Sequence, residues 1–297
     1  MIATRFAAET LRLLPRKRLS RAIGRVAATR MGDQASGVLL SRAIDLYVRA
    51  YDVDMSECEV PTGGFRSFNE FFTRPLREGA RPLDADPTAI LSPADGRIED
   101  AGPVDARGHF VIKGKPYSLD ELLGSTADAH RAAGGQFVVV YLSPRDYHRV
   151  HAPVSGDVVR ARHLGGTLFP VNRIGVEHVP KLFAKNERVV VVQDSVFGEI
   201  VTVLVGALVV GGIGLAFDRA LVTRSGAEGG ETTYRTPRPT LTRGTELGWF
   251  ELGSTAIVIL PASAGAALTV TPGQPIRMGR AIAHAPVTLR AAGAGRA

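Results

Sequence analysis

The chain has 297 residues, 45% apolar and 22% charged, a globular balance that can bury one large core or two small ones. Its single cysteine, Cys58, excludes an internal disulfide framework and fits a reducing compartment. The net charge of +7 is confined to residues 1–30, which hold eight basic side chains and one acid. The remainder is neutral, which excludes a general nucleic-acid-binding surface.

That N-terminal segment lacks the uninterrupted apolar core and the small-residue cleavage site of a signal peptide. Leu19, Ile23 and Val26 instead recur at helical spacing, with Arg18, Arg21 and Arg25 on the opposite side. A basic amphipathic helix of this kind suits an anionic bilayer surface, at roughly 1 kcal/mol per basic residue near the lipid. Residues 34–50 keep an apolar face and predict a second helix. Cys58 lies among Asp52, Asp54, Glu57 and Glu59, whose charge disfavours a thiolate, so it reads as structural. Ser67-Phe68-Asn69-Glu70 is a capping box that opens a short helix before Pro75.

From Ile90 the pattern changes to short strands punctuated by Gly and Pro, predicted over 110–112, 137–142, 157–160, 189–192 and 256–260, with a helix near 119–123. Residues 200–217 carry no charge over 18 positions, the lower limit for a transmembrane helix. Four glycines and many β-branched residues favour strands there. With the apolar run 188–193 and the turn-prone link 194–199, the stretch predicts a buried hairpin and no membrane span. Residues 224–245 are polar and rich in Gly, Pro and Thr, hence predicted as a mobile loop. Three Pro/Gly turns, at 92–96, 151–156 and 272–283, resemble those of the folded β-sandwich in biotinyl, lipoyl and sugar-phosphotransferase modules. The expected fold class is therefore α+β: helices in residues 1–66, facing a membrane, then a β-rich catalytic body over 67–297 with barrel-sandwich-like turns.

Familiar catalytic signatures are missing. There is no Gly-x-Ser-x-Gly elbow and no His-Glu-x-x-His zinc helix. In residues 108–115 the first glycine of a P-loop comes one position early, and Pro116 stands where Ser or Thr would bind magnesium. Gly212-Ile213-Gly214 lacks the third glycine of a dinucleotide fingerprint. His148 and His151 lack a third ligand, so no metal is expected. What remains is Asp95, His148, His151 and Ser254, which contains the parts of a nucleophilic triad. Each also has a plain reading: Asp95-Gly96 as a turn, His151 as a strand end, Gly253-Ser254 as a turn into a strand. A serine hydrolase or a binding module of the biotinyl/lipoyl kind stays open on these residues alone.

The phrases around them carry more. SFNEFFTRPLREGAR (67–81), LSPADG (91–96), KGKPYSLDELL (113–123), YLSPRDYHRVHAP (141–153), VPKLFAKNER (179–188), VGALVVGG (205–212) and GTELGWFELGST (244–255) follow one another in this order. Together they resemble the bacterial phosphatidylserine decarboxylases, pyruvoyl-dependent enzymes made as proenzymes that process themselves within Leu-Gly-Ser-Thr. The likeness covers most of residues 35–283; Ala94 departs from the family's frequent Val. It implies a triad of Asp95, His151 and Ser254 for autocleavage at Gly253-Ser254. In that scheme His151, oriented by Asp95, deprotonates Ser254, whose oxygen attacks the Gly253 carbonyl. The ester eliminates to dehydroalanine, which hydrolyses to the pyruvoyl group. The products would be a β chain of 1–253 and an α chain of 254–297, paired as a heterodimer or a dimer of such pairs. Ser254, converted to pyruvoyl, would join the amine of phosphatidylserine as a Schiff base and yield phosphatidylethanolamine and carbon dioxide. His148 becomes the candidate for turnover, and the cytoplasmic face of the bacterial cell membrane the expected, peripheral location.

Overall fold

The computed structural model describes residues 37–207, 212–219, 223, 229–251 and 254–286. The basic helix expected within residues 1–30 lies outside them, as do Leu252 and Gly253. Helix α1 (Gly37–Tyr51) forms where the apolar face predicts it; it buries Ile44 and Tyr47 and leaves Val38, Leu39 and Leu46 exposed. Helix α2 (Phe68–Phe72) starts at Ser67, whose Oγ accepts the Glu70 N–H at 3.0 Å. The other half of the expected capping box is displaced by one residue. The Glu70 carboxylate takes the N–H of Arg66, because the Arg66 guanidinium, 2.8 Å away, draws it there. Phe68, Phe71 and Phe72 join Ile44, Tyr47 and Val53 in a small core of their own.

The body follows as β1 (Ala89–Leu91), β2 (Gly96–Pro103), β3 (His109–Ile112), β4 (Lys115–Ser118), α3 (Leu119–Leu123), α4 (Thr126–Ala132) and β5 (Gln136–Leu142). Next come β6 (Arg149–His151), β7 (Gly156–Leu164), α5 (Arg173–His178), α6 (Leu182–Lys185), β8 (Arg188–Ser195) and β9 (Gly198–Gly206). The chain continues through β10 (Ile213–Leu215), β11 (Gly230–Thr233), β12 (Thr240–Leu241), β13 (Glu246–Phe250) and β14 (Ser254–Leu260). It closes with β15 (Ala267–Leu268), β16 (Pro275–Ile276) and β17 (Ala281–His284).

The main sheet is antiparallel, in the order β11-β7-β8-β9-β14-β5-β2-β16, with β12 beside β7. The hairpin read from residues 188–206 is β8–β9, closing at Ser195 opposite Gly198. Residues 200–206 are therefore sheet, and no helix among the described residues is long and apolar enough to cross a membrane. β14 is buried along its whole length. Ala256, Val258 and Leu260 face one core, shared with the small sheets β1-β17-β15 and β10-β13-β6. Ile257 and Ile259 face a second core, under α3 to α6 and the hairpin β3–β4. A strand covered on both faces reads as one continuous apolar run, and residues 256–260 (AIVIL) do.

The loop expected over 224–245 needs correction. Residues 230–233 and 240–241 are strands on β7, from Gly230 opposite His163 to Thr233 opposite Arg160. Backbone pairing to an open edge supplies this order, and it leaves no hydrophobic alternation for sequence to show.

Under the second core, the buried Asp128 carboxylate meets Arg160 at 2.9 Å and Arg162 at 3.1 Å, with Arg131 as a third partner. These contacts pin α4 to β7. Asp128→Asn should lower stability by about 3 kcal/mol, because it leaves guanidinium groups facing a neutral amide in a dry site. Urea unfolding checks this, and a loss below about 1 kcal/mol would show the cluster to be ornamental.

Candidate active site

The three Pro/Gly turns meet. The His151 N–H donates to Pro93 O at 2.7 Å, Leu91 N–H to Pro153 O at 3.0 Å, and Ser92 N–H to Arg280 O at 2.7 Å. Asp95 is thus brought under the 272–283 turn, where its Oδ1 accepts the Met278 N–H at 2.8 Å. The same carboxylate is forked by Arg81, Nε to Oδ1 at 2.9 Å and Nη2 to Oδ2 at 2.6 Å. Gly96 follows at φ +153°, and a Cβ there would lie 2.2 Å from Tyr141 O, so only glycine lets β2 start against β5.

His151 ends β6, opposite Glu246 of β13. Its Nδ1 lies 2.9 Å from the Gly244 carbonyl, which can only accept, so the proton sits on Nδ1. Nε2 is then the acceptor, and the Tyr147 hydroxyl donates to it at 2.9 Å. Gly244 reaches this position at φ +81°, a left-handed conformation that suits glycine. Burial holds the His151 imidazole below the usual histidine basicity, while the Gly244 bond and the charges of Glu246 and Asp95 work the other way. The Glu246 carboxylate is itself paired with Arg149 at 2.6 Å.

His148 is fully buried. Its Nδ1–H donates to Asp146 O at 2.7 Å, and its ring lies 4.0 Å from that of Phe72. Burial, helped by the nearby Arg74 charge, pushes its pKa down to about 3 against the pull of the Asp146 bond. The ring is neutral across the working range, and Nε2 has no partner among the described residues. The His148 carbonyl accepts the Phe250 N–H at 3.0 Å, four residues before Ser254.

Ser254 opens β14, fully buried between Leu142 of β5 and Gly206 of β9. Its Oγ has no hydrogen-bond partner among the described residues. Directly paired residues share a face of the sheet, and the space beside Gly206 is taken up by Leu168 and Ile213, whose side-chain carbons would lie 3.3 and 3.8 Å from a Cβ there. Asp95 lies two residues beyond Pro93, whose carbonyl takes the His151 N–H, but no hydrogen bond among the described residues links Asp95, His151 and Ser254. Sequence reasoning did not find Arg81, Tyr147 or Gly244. All three lie inside the quoted phrases, yet nothing in their spacing says whom they touch.

Among the described residues no three His, Cys, Asp or Glu side chains converge as a metal site. A cleft of about 890 Å³, lined by Arg149, Arg219, Trp249 and Glu251 among others, opens beside the segment that leads into Ser254.

Residues 68–284 match the family model for phosphatidylserine decarboxylase. The chain is 45% identical over 282 residues to a phosphatidylserine decarboxylase proenzyme of Ectopseudomonas mendocina, covering 92% of this chain and 96% of that protein. It is 39% identical over 274 residues to the protein of the same name from Brevibacillus brevis (91% and 94% covered). Against that of Pseudomonas aeruginosa the figure is 44% over 278 residues (91% and 94%). With a site of buried histidines and an unpartnered serine on the same stretch, the chain belongs to the phosphatidylserine decarboxylase family.

Proposed function

We propose that the chain cuts itself between Gly253 and Ser254 and then decarboxylates phosphatidylserine to phosphatidylethanolamine with a pyruvoyl group left at residue 254. The observation that carries this reading is the Ser254 hydroxyl, wholly buried and bonded to nothing among the described residues. Thr202 and Thr255 also carry buried hydroxyls without a partner among the described residues, but Ser254 is the one that directly follows the expected scissile bond. The relatives' name, proenzyme, supports processing of the chain.

In the cut, His151 takes the Ser254 proton and Oγ bonds to the Gly253 carbonyl carbon. The Gly253–Ser254 C–N bond breaks as the proton passes to the leaving amine, giving an ester. Loss of the Ser254 α-proton then expels the Gly253 carboxylate and leaves dehydroalanine, which takes up water and releases ammonia to become the pyruvoyl group. The C-terminal piece keeps β14 between β5 and β9, β16 on β2 and β17 on β1, so shared sheet supports a lasting heterodimer.

The position fits a pyruvoyl group: the conversion removes the unpartnered Oγ and leaves only a methyl in its buried place between Leu142 and Gly206. When present, the group supplies an electrophilic carbonyl that draws electrons from the substrate α-carbon as carbon dioxide leaves. His148 Nε2, a neutral acceptor, takes a hydrogen bond from the substrate amine and orients it toward that carbonyl. The 890 Å³ cleft admits the head group, with Arg149 and Arg219 facing its phosphate.

A lipid substrate places the barrel-sandwich-like body against the anionic, cytoplasmic face of the membrane. The exposed Val38, Leu39 and Leu46 of α1, next in sequence to the basic segment, support that face as the contact. The hydrolase and carrier-module alternatives yield to family membership. Intact mass of the purified protein is the test. Fragments of 253 and 44 residues are expected, the smaller with a blocked, carbonyl-bearing N-terminus; a single 297-residue mass overturns the reading.

A further inference from the structure

Arg81 spends its guanidinium on two carboxylates. Nε and Nη2 fork Asp95, and Nη1 lies 2.8 Å from Glu57 Oε2 and donates to Ala80 O at 2.8 Å. Glu57 is braced in turn by Arg277 at 2.8 Å, next in sequence to Met278, whose N–H donates to Asp95 Oδ1 alongside Arg81 Nε. The Arg81 side chain is 7% exposed and that of Asp95 9%. This is a built arrangement, since fork-to-fork pairing fixes the plane of the carboxylate as well as its distance.

Asp95 gives His151 no hydrogen bond here, because the Nδ1–H is engaged by Gly244 O. Its effect on the imidazole is therefore exerted through charge, and a charge acts only where it is held. A carboxylate released from its fork is free to turn and move off the imidazole. We propose that Arg81 is the positioning residue of the self-cleavage reaction: it fixes Asp95 as a charged group at a set place beside His151. The inference rests on the self-cleavage reading.

A cavity of about 290 Å³ is lined by Arg81, Asp95, Tyr147, Glu57 and the exposed Arg277, so a small cation added from solution has a route to Asp95. The full-length Arg81→Ala chain should convert to its two fragments about a hundredfold more slowly than the parent. Methylguanidine should then restore at least about a tenth of the lost rate. It should do nothing for Asp95→Asn, where the anion is missing. Arg81→Lys, with a point charge and no fork, should fall between parent and alanine. Gel densitometry of precursor and fragments over time reads all four.

An alanine chain that cuts at the parental rate overturns the assignment. So does a slow alanine chain that neither methylguanidine nor lysine accelerates, since Arg81 would then be packing alone. If the alanine chain is insoluble, a soluble lysine chain cutting at the parental rate overturns it equally. A parent that stays whole sinks the self-cleavage reading itself, and this assignment with it.

Discussion

Alanine at position 254 should leave one 297-residue chain that releases no carbon dioxide from phosphatidylserine, yet folds as well as the parent. Without Oγ no ester can form at Gly253, so neither the cut nor the carbonyl derived from residue 254 can follow. The fold should be indifferent for a reason visible at the atom. Ser254 Oγ makes no hydrogen bond among the described residues, so its removal breaks none and relieves a buried, unsatisfied hydroxyl. Read on an uncut background, His151→Ala with and without Ser254→Ala, stability should hold or rise by about 1 kcal/mol. The backbone pairing of residue 254 to Leu142 and Gly206 does not depend on the side chain. A denaturing gel, carbon dioxide release and a urea midpoint together decide the matter. Two fragments from the alanine chain would end the proposal. A whole chain that had also lost several kcal/mol would mark Ser254 as structural.

Much of the frame around that serine was legible in the sequence, because it depends on neighbours along the chain. Two apolar runs about a short link predicted the β8–β9 hairpin, and the apolar run 256–260 predicted all of β14 but its first two residues, Ser254 and Thr255. The Pro/Gly turns were visible as turns. That they meet was not, since Pro93, Pro153 and Arg280 come together only once the sheets are ordered. The polar contacts of the site were hidden for the same reason. His151 finds the Gly244 carbonyl 93 residues away, and Asp95 finds the Met278 N–H 183 residues away. No periodicity encodes such pairs. The strands at 230–233 and 240–241 escaped because an edge pairing in polar sequence is decided by the partner's backbone.

The second large effect expected is at His148. Glutamine there should spare the cut but lower kcat for decarboxylation by about 10² to 10⁴. Glutamine can still donate to Asp146 O and fill much of the space against Phe72, which isolates the loss of the Nε2 acceptor. The same variant carries a second readout. Folded His148 stays neutral down to about pH 3, whereas in the unfolded chain it protonates near pH 6.5. Between those values the unfolded state binds the extra proton. His148 therefore makes stability fall as pH drops from 6.5 toward 3, by up to about 1.4 kcal/mol per pH unit. Glutamine cannot titrate, so its stability should decline less steeply on the acid side, and urea midpoints at pH 7 and pH 5 measure the difference. Loss of the cut would reassign His148 to processing, and an unchanged kcat would remove it from turnover. An unchanged acid slope would mean the ring is not held neutral in the core. A neutral His148 that is dispensable for the cut leaves charge-assisted deprotonation of Ser254 to His151 and its held carboxylate.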